Sequence, residues 1–209
     1  MTSAREALER LREGNRRFAS DRCANDYRSN SRRRDELVFG QQPFAIILGC
    51  SDSRVPAEVI FDQGLGDLFV IRVAGNIVAR SQVGSVEYAI EQFGVGLVLV
   101  LGHTSCGAVV ATLEELERPD DGRSPNLRLI VDRITPAVMP VFERGSPADR
   151  GDTLAQAIRA NIHASVRNLR HGSEIIEQLT ETGRLAIVGA EYSLETGLVE
   201  FFDGQRDAG

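Results

Sequence analysis

Lysine and tryptophan are both missing from this chain of 209 residues, cysteine and histidine occur three times each, and aromatic side chains are scarce. Without lysine, arginine is the only permanent side-chain cation. The 24 arginines face 30 acidic side chains, for a formal net charge of -6. That balance argues against nucleic acid or an anionic membrane as the main partner. Three cysteines, an odd number, do not suggest a disulfide framework. The longest apolar stretch, Val95–Leu101, has the length of a strand and falls far short of the roughly 20 residues that cross a bilayer. Arg5, Glu6, Glu9 and Arg10 stand where a secretory signal would carry its apolar core. These absences predict a soluble, cytoplasmic protein whose thiols stay reduced and open to metal. The length fits a single core without covalent staples.

Apolar residues then mark out the elements. Ala4, Leu8, Leu11 and Phe18 recur at helical spacing over residues 3–19. Ten arginines precede Asp35, interleaved with Glu6, Glu9, Glu13 and Asp21. This mixed charge reads as a solvated or partner-facing helical arm over residues 1–42. Phe44–Leu48 is apolar throughout, as in a strand buried on both faces. Strands are also expected at Asp67–Val73, Leu97–Leu101, Leu185–Ala190 and Leu198–Phe202. Helices are expected near Val55–Glu58, over Ser81–Phe93, from about Cys106, over Asp152–Leu169 with Asp152 as N-cap, and over Ser173–Thr180. Asp120–Pro125 reads as a loop, and Pro136 and Pro140 are expected to interrupt any helix near them.

Strands alternating with helices predict an α/β fold: a mostly parallel β-sheet with helices on both faces. The last two strands are joined too closely for a crossover, so the final one should pair antiparallel at an edge. Such sheets bind ligands at the carboxyl ends of their strands. Two motifs sit at such ends, Cys50-Ser51-Asp52-Ser53-Arg54 and His103-Thr104-Ser105-Cys106. Two thiols and an imidazole suit Zn²⁺, and three protein ligands leave the fourth tetrahedral position open for chemistry. The residues therefore suggest a zinc hydrolase or hydratase over residues 43–209. Zinc with two thiolates and one neutral imidazole carries no net charge. It should acidify water less than a three-histidine site, where the pKa is about 7. Asp52 is placed to help by accepting a hydrogen bond, with Arg54 gripping its carboxylate. Alternatively, Asp52 could bind the metal as a fourth ligand and close the site.

The two motifs together, with Asp67–Arg72, Ala74-Gly75-Asn76 and Ser85–Ala89 between them, resemble the β-class carbonic anhydrases from about Gln41 to Gly204. The resemblance implies reversible hydration of CO₂ to bicarbonate and a proton by zinc-bound hydroxide, with one zinc per chain. It implies Cys50, His103 and Cys106 as zinc ligands and Asp52 and Arg54 as the catalytic dyad. It implies Gln41 as a substrate hydrogen-bonder, and Phe69 and Tyr88 as the lining of an apolar CO₂ pocket. Because the family builds that pocket across a subunit interface, a homodimer or a dimer of dimers is implied. Some members hold a regulatory bicarbonate with a tryptophan, an arginine and a tyrosine. Arg72 and Tyr192 resemble the last two, but Ile47 stands where the tryptophan would be, which argues against that pocket. Hydrolysis of CS₂ or COS at the same kind of centre is one alternative, and a non-catalytic zinc scaffold or bicarbonate sensor is another. His163, His171 and Cys23 are assigned no role.

Overall fold

Five segments rich in valine, leucine and isoleucine pair into one sheet in the computed structural model, which describes residues 2–24, 31–118, 122, 124–144 and 150–202. They are β1 (Ala45–Gly49), β2 (Leu68–Arg72), β3 (Leu97–His103), β4 (Ala186–Tyr192) and β5 (Val199–Phe201), in spatial order β2-β1-β3-β4-β5. The first four are parallel and β5 is antiparallel to β4, as the short connection between the last two strands requires. Every residue of β1 and β3 is buried. Both strands lack the polar alternation of a half-exposed strand because helices cover both faces.

One face carries Ile46, Leu48, Val98 and Val100 against α4 (Arg80–Phe93), α5 (Gly107–Glu117), α6 (Pro125–Arg144), α7 (Arg150–Arg170) and α8 (Glu174–Glu181). The other carries Ile47, Leu97, Leu99 and Leu101 against α1 (Ala4–Ala19) and α3 (Ala57–Ile60). The order β2-β1-β3 makes the chain leave β1 toward one edge and return on its other side. This switch opens a crevice between the carboxyl ends of β1 and β3. Gly49 lies opposite Leu101 in that register, so Cys50 and His103 emerge side by side.

Within residues 1–42, α1 is packed on the sheet. Ser3 and Glu6 form a reciprocal capping box on α1, and the buried Ala7 and Leu11 join the core of the chain's own sheet. Asn15 donates to the carbonyls of Ile60 and Gly197 and accepts from the Val199 amide. By contrast, α2 (Ser31–Leu37) buries no residue. Gly14 sits where a Cβ would lie 1.8 Å from the Phe61 carbonyl oxygen. Gly14→Ala should therefore lever α1 off the body, costing about 2 kcal/mol and lowering Tm by about 4–8 °C. An unchanged thermal melt would show that α1 does not depend on this close approach.

Two local expectations are corrected. Pro136 and Pro140 lie inside α6, which runs unbroken from Pro125 to Arg144. Each interior proline costs about 3 kcal/mol. Val131, Ile134, Val138 and Val141 are buried along one stripe of this helix, at about 1.5–3 kcal/mol each, so packing outweighs the break. Asp152 lies within the first turn of α7 and does not cap it. There its charge still complements the positive end of the helix dipole. Half of the expected Asp120–Pro125 loop, residues 25–30 of the arm and the chain beyond residue 202 fall outside the described residues.

Candidate metal centre

Cys50 follows the last residue of β1, His103 ends β3, and Cys106 is the N-cap of α5. The turn between His103 and Cys106 is tight, with Ser105 in the left-handed region at φ 56°. It is tied to the end of β4: the Thr104 amide donates to the Tyr192 carbonyl, and the Thr104 hydroxyl accepts from the Leu194 amide. The result is a triangle of two sulfurs and one ring nitrogen, all within 4.8 Å of one another and buried. His103 is fully enclosed. Its Nδ1 lies 2.9 Å from the Thr104 carbonyl. A carbonyl can only accept, so Nδ1 carries the proton and Nε2 presents its lone pair to the sulfurs. Nε2 is buried without a hydrogen-bond partner, an orphaned acceptor of the kind that a metal satisfies.

The thiols are poised in the same sense. The Cys106 thiol, donating to the Cys50 sulfur, holds Cys50 down at about 4, and the Asp52 and Gly75 amides add to that effect. Cys106 is pushed up, first by that shared hydrogen bond and then by burial, while the Val109 and Ala108 amides at the start of α5 pull the other way. Without a cation the pair shares one proton between two sulfurs. A divalent ion replaces that proton and satisfies both. The donor set, its spacing and its burial fit zinc.

Asp52 stands at the rim. Arg54 grips it through Nε to Oδ1 (2.9 Å), Nη2 to Oδ2 (2.7 Å) and its own amide to Oδ1 (3.0 Å). This fork holds the carboxyl well below the usual carboxylate range, so Asp52 is ionised at any working pH. Asp52 Oδ2 lies 3.8 Å from His103 Nε2, which sets the carboxylate beside the donor triangle while Arg54 retains it.

A family model described as carbonic anhydrase matches residues 45–199. The chain belongs to the β-class carbonic anhydrases. It is 42% identical over 193 residues to carbonic anhydrase 2 of Mycobacterium tuberculosis, covering 91% of this chain and 89% of that one. Among solved structures, the β-carbonic anhydrase CcaA is 30% identical with a TM-score of 0.74, over 94% of this chain and 95% of that one. One of two tetrameric β-carbonic anhydrases from Sordaria macrospora shares the fold at 23% identity and TM-score 0.73, over 83% of this chain and 87% of that one. As a carbonic anhydrase the chain is a zinc enzyme, and its reaction is the reversible hydration of CO₂.

The remaining expected residues of this carbonic anhydrase lie elsewhere in the chain. Gln41 is exposed before the amino end of β1 and lines a surface groove with Arg34, Leu37, Val38 and Leu65. It sits at the opposite end of that strand from Cys50. Phe69 pairs with Ile46, four residues upstream of Cys50, or about 13 Å at strand rise. It packs with Tyr88 and Phe93, with ring centroids 6.0–6.1 Å apart. Tyr88 is half-exposed.

Arg72 does more than the sequence suggested. Its Nε donates to the Cys50 carbonyl (3.0 Å) and its Nη2 to the Asp52 carbonyl (2.6 Å). It thereby staples the loop that carries Cys50 and Asp52. Tyr192 is buried, and burial pushes its phenol up. It packs near Phe18, and Ile47 is core. Arg72 is thus already spent on backbone carbonyls. His163 stacks on Phe202, His171 pairs with Glu177, and Cys23 is exposed. Gly75, quoted only as part of a family motif, donates its amide to Cys50 Sγ at 3.4 Å. A glycine shortly after a strand was the available signal, but it did not reveal the contact.

Proposed function

We propose that Cys50, His103 and Cys106 hold the catalytic zinc, that Asp52 and Arg54 are the dyad serving it, and that the fourth position is open to water. The observation that carries this is the Arg54 fork on Asp52 beside the donor triangle. For Asp52 to swing onto the metal, it would have to give up the two guanidinium bonds and the amide bond. Zinc, when bound, acts as a Lewis acid that makes a water nucleophilic near neutral pH. Each Asp52 oxygen has acceptor capacity beyond its bonds to Arg54, so Oδ2 can accept a hydrogen bond from a water at the open position and turn that water's lone pair toward the carbon of CO₂. Arg72 keeps Asp52 and Cys50 in one fixed loop. The His103 Nδ1 bond keeps its ring from rotating.

An apolar pocket with one polar hydrogen-bonder suits a small substrate without a dipole. Gln41, Phe69 and Tyr88 offer those groups, yet each lies away from its own chain's triangle. A second copy would bring them to it. The exposed Val38, Phe39 and Leu65 and the unburied α2 support such a homodimer, or a dimer of dimers, with residues 43–209 as the zinc-binding catalytic unit. Ligand thiols need a reducing compartment, and no helix among the described residues is long and apolar enough to cross a membrane. We place the enzyme in the cytoplasm on that basis.

Stopped-flow CO₂ hydration, with sulfide release from CS₂ measured in parallel, tests the assignment. Hydration should dominate. Turnover should also climb between pH 6 and 9, because two thiolates cancel the zinc charge and keep the site's water less acidic than at a three-histidine centre, where its pKa is about 7. Asp52, ionised throughout, adds no inflection of its own. A flat profile over that range would contradict the charge argument.

A further inference from the structure

We propose that Asn161 and Ser165 are positioning residues for the metal centre: from α7 they clamp the Gly75–Asn76 turn and so aim the Gly75 amide at the Cys50 sulfur. The inference rests on Cys50 being a zinc ligand, but it concerns residues that touch neither metal nor substrate. The turn is intrinsically unfavourable. Gly75 has φ 68° and ψ 20°, and Asn76 has φ 44°. A non-glycine residue held there costs on the order of 1–3 kcal/mol and persists only when its surroundings dictate it.

Two contacts from far along the chain do so. Asn161 Nδ2 donates to the Gly75 carbonyl at 2.8 Å, and Ser165 Oγ donates to the Asn76 carbonyl at 3.0 Å. The donors are one helical turn apart and share a face. Both residues are buried, 2% and 3% exposed, and the other buried residues of the helix are Ala157, Ile158, Ile162, Ala164, Val166 and Leu169. Polar groups at such positions are costly unless bonded, and here both bond to the same turn. A Cβ on Gly75 would meet Ile134 Cδ1 at 2.8 Å and Ala108 Cβ at 3.0 Å, so the turn is wedged against α6 and α5. Holding successive carbonyls fixes the peptide planes on either side of Asn76, and with them the φ and ψ of Asn76 and the carbonyl side of Gly75, while the wedge against Ile134 and Ala108 holds Gly75 itself. The Gly75 amide then points at Cys50 Sγ at 3.4 Å.

An amide donor draws electron density from a ligating thiolate and orients it. Outer partners of this kind change metal affinity by roughly 10–100-fold.

Asn161→Ala and Ser165→Ala are tested beside Thr135→Val, which removes a hydroxyl bonded only to the Val131 carbonyl in its own helix. Each protein is loaded with cobalt(II) for its thiolate-to-metal charge-transfer band, and zinc affinity is measured by chelator competition. Both clamp variants should move the band to lower energy and bind zinc about tenfold more weakly, while Thr135→Val matches the parent in both. A band and affinity equal to the parent's in a folded Ser165→Ala protein would overturn the clamp, even if Asn161→Ala fails to fold. If the parent shows no thiolate band at all, the ligand assignment itself fails, and the clamp with it.

Discussion

Cys50→Ser is expected to remove zinc and activity together. Zinc content should fall from about one per chain to below about a tenth, and CO₂ hydration by about 10³-fold or more. The reason is the donor set. The Cys106 thiol and two amides hold Cys50 toward its thiolate, whereas a serine hydroxyl stays protonated and is a poor partner for zinc. The remaining imidazole and sulfur would have to hold the ion as a pair in a buried site built for three. A serine is smaller than cysteine and the Gly75 amide remains to bond it, so the fold should survive, as circular dichroism can check. Elemental analysis with stopped-flow hydration decides the matter. A folded Cys50→Ser protein with full zinc and parental turnover would remove Cys50 from the centre.

Asp52→Asn should give the opposite division, with zinc near one per chain and turnover reduced by about 10²–10³-fold, in the range lost with a positioned acid–base group. The amide keeps the carboxylate's size but can offer only one oxygen. Arg54 presents two N–H groups to Asp52, so the asparagine oxygen is drawn to the guanidinium and its NH₂ faces the other donor or the site. Neither arrangement leaves an acceptor for a water proton. Zinc should stay because Arg54, not a metal, holds Asp52 in this arrangement. Parental turnover in Asp52→Asn would take Asp52 out of the mechanism. Loss of zinc would mean that Asp52 is a ligand and the open fourth position is wrong. The two substitutions separate metal retention from proton handling, which activity alone cannot do.

Much of the fold was legible because its signals are local. Phe44–Leu48 and Leu97–Leu101 are uniformly apolar, and each became a fully buried strand within two residues of its expected end. The short connection between Ala190 and Leu198 left room only for an antiparallel return, and β5 pairs that way. Where signals compete, local reading failed. Pro136 and Pro140 argued for a break in α6, but the apolar stripe beside them packs on α5 and α7 and decides otherwise. That the stripe of α1 covers the chain's own sheet was equally hidden, because it fits a partner's surface as well. The Gly14–Phe61 contact spans 47 residues and has no local signature.

The centre divides along the same line. Which atoms can bind zinc, and that they stand at strand ends beside an acid and an arginine, follows from residue identity and short-range spacing, and the sequence alone determined it. Only the tertiary structure decided that β1 and β3 are neighbours, that three donors fall within 4.8 Å, and that Arg54 rather than the metal site holds Asp52. It alone showed that Arg72, Asn161 and Ser165 brace the loops from 20 to 89 residues away. Those contacts depend on how separate elements pack, and residues far apart in a chain become neighbours only through burial of the core that joins them.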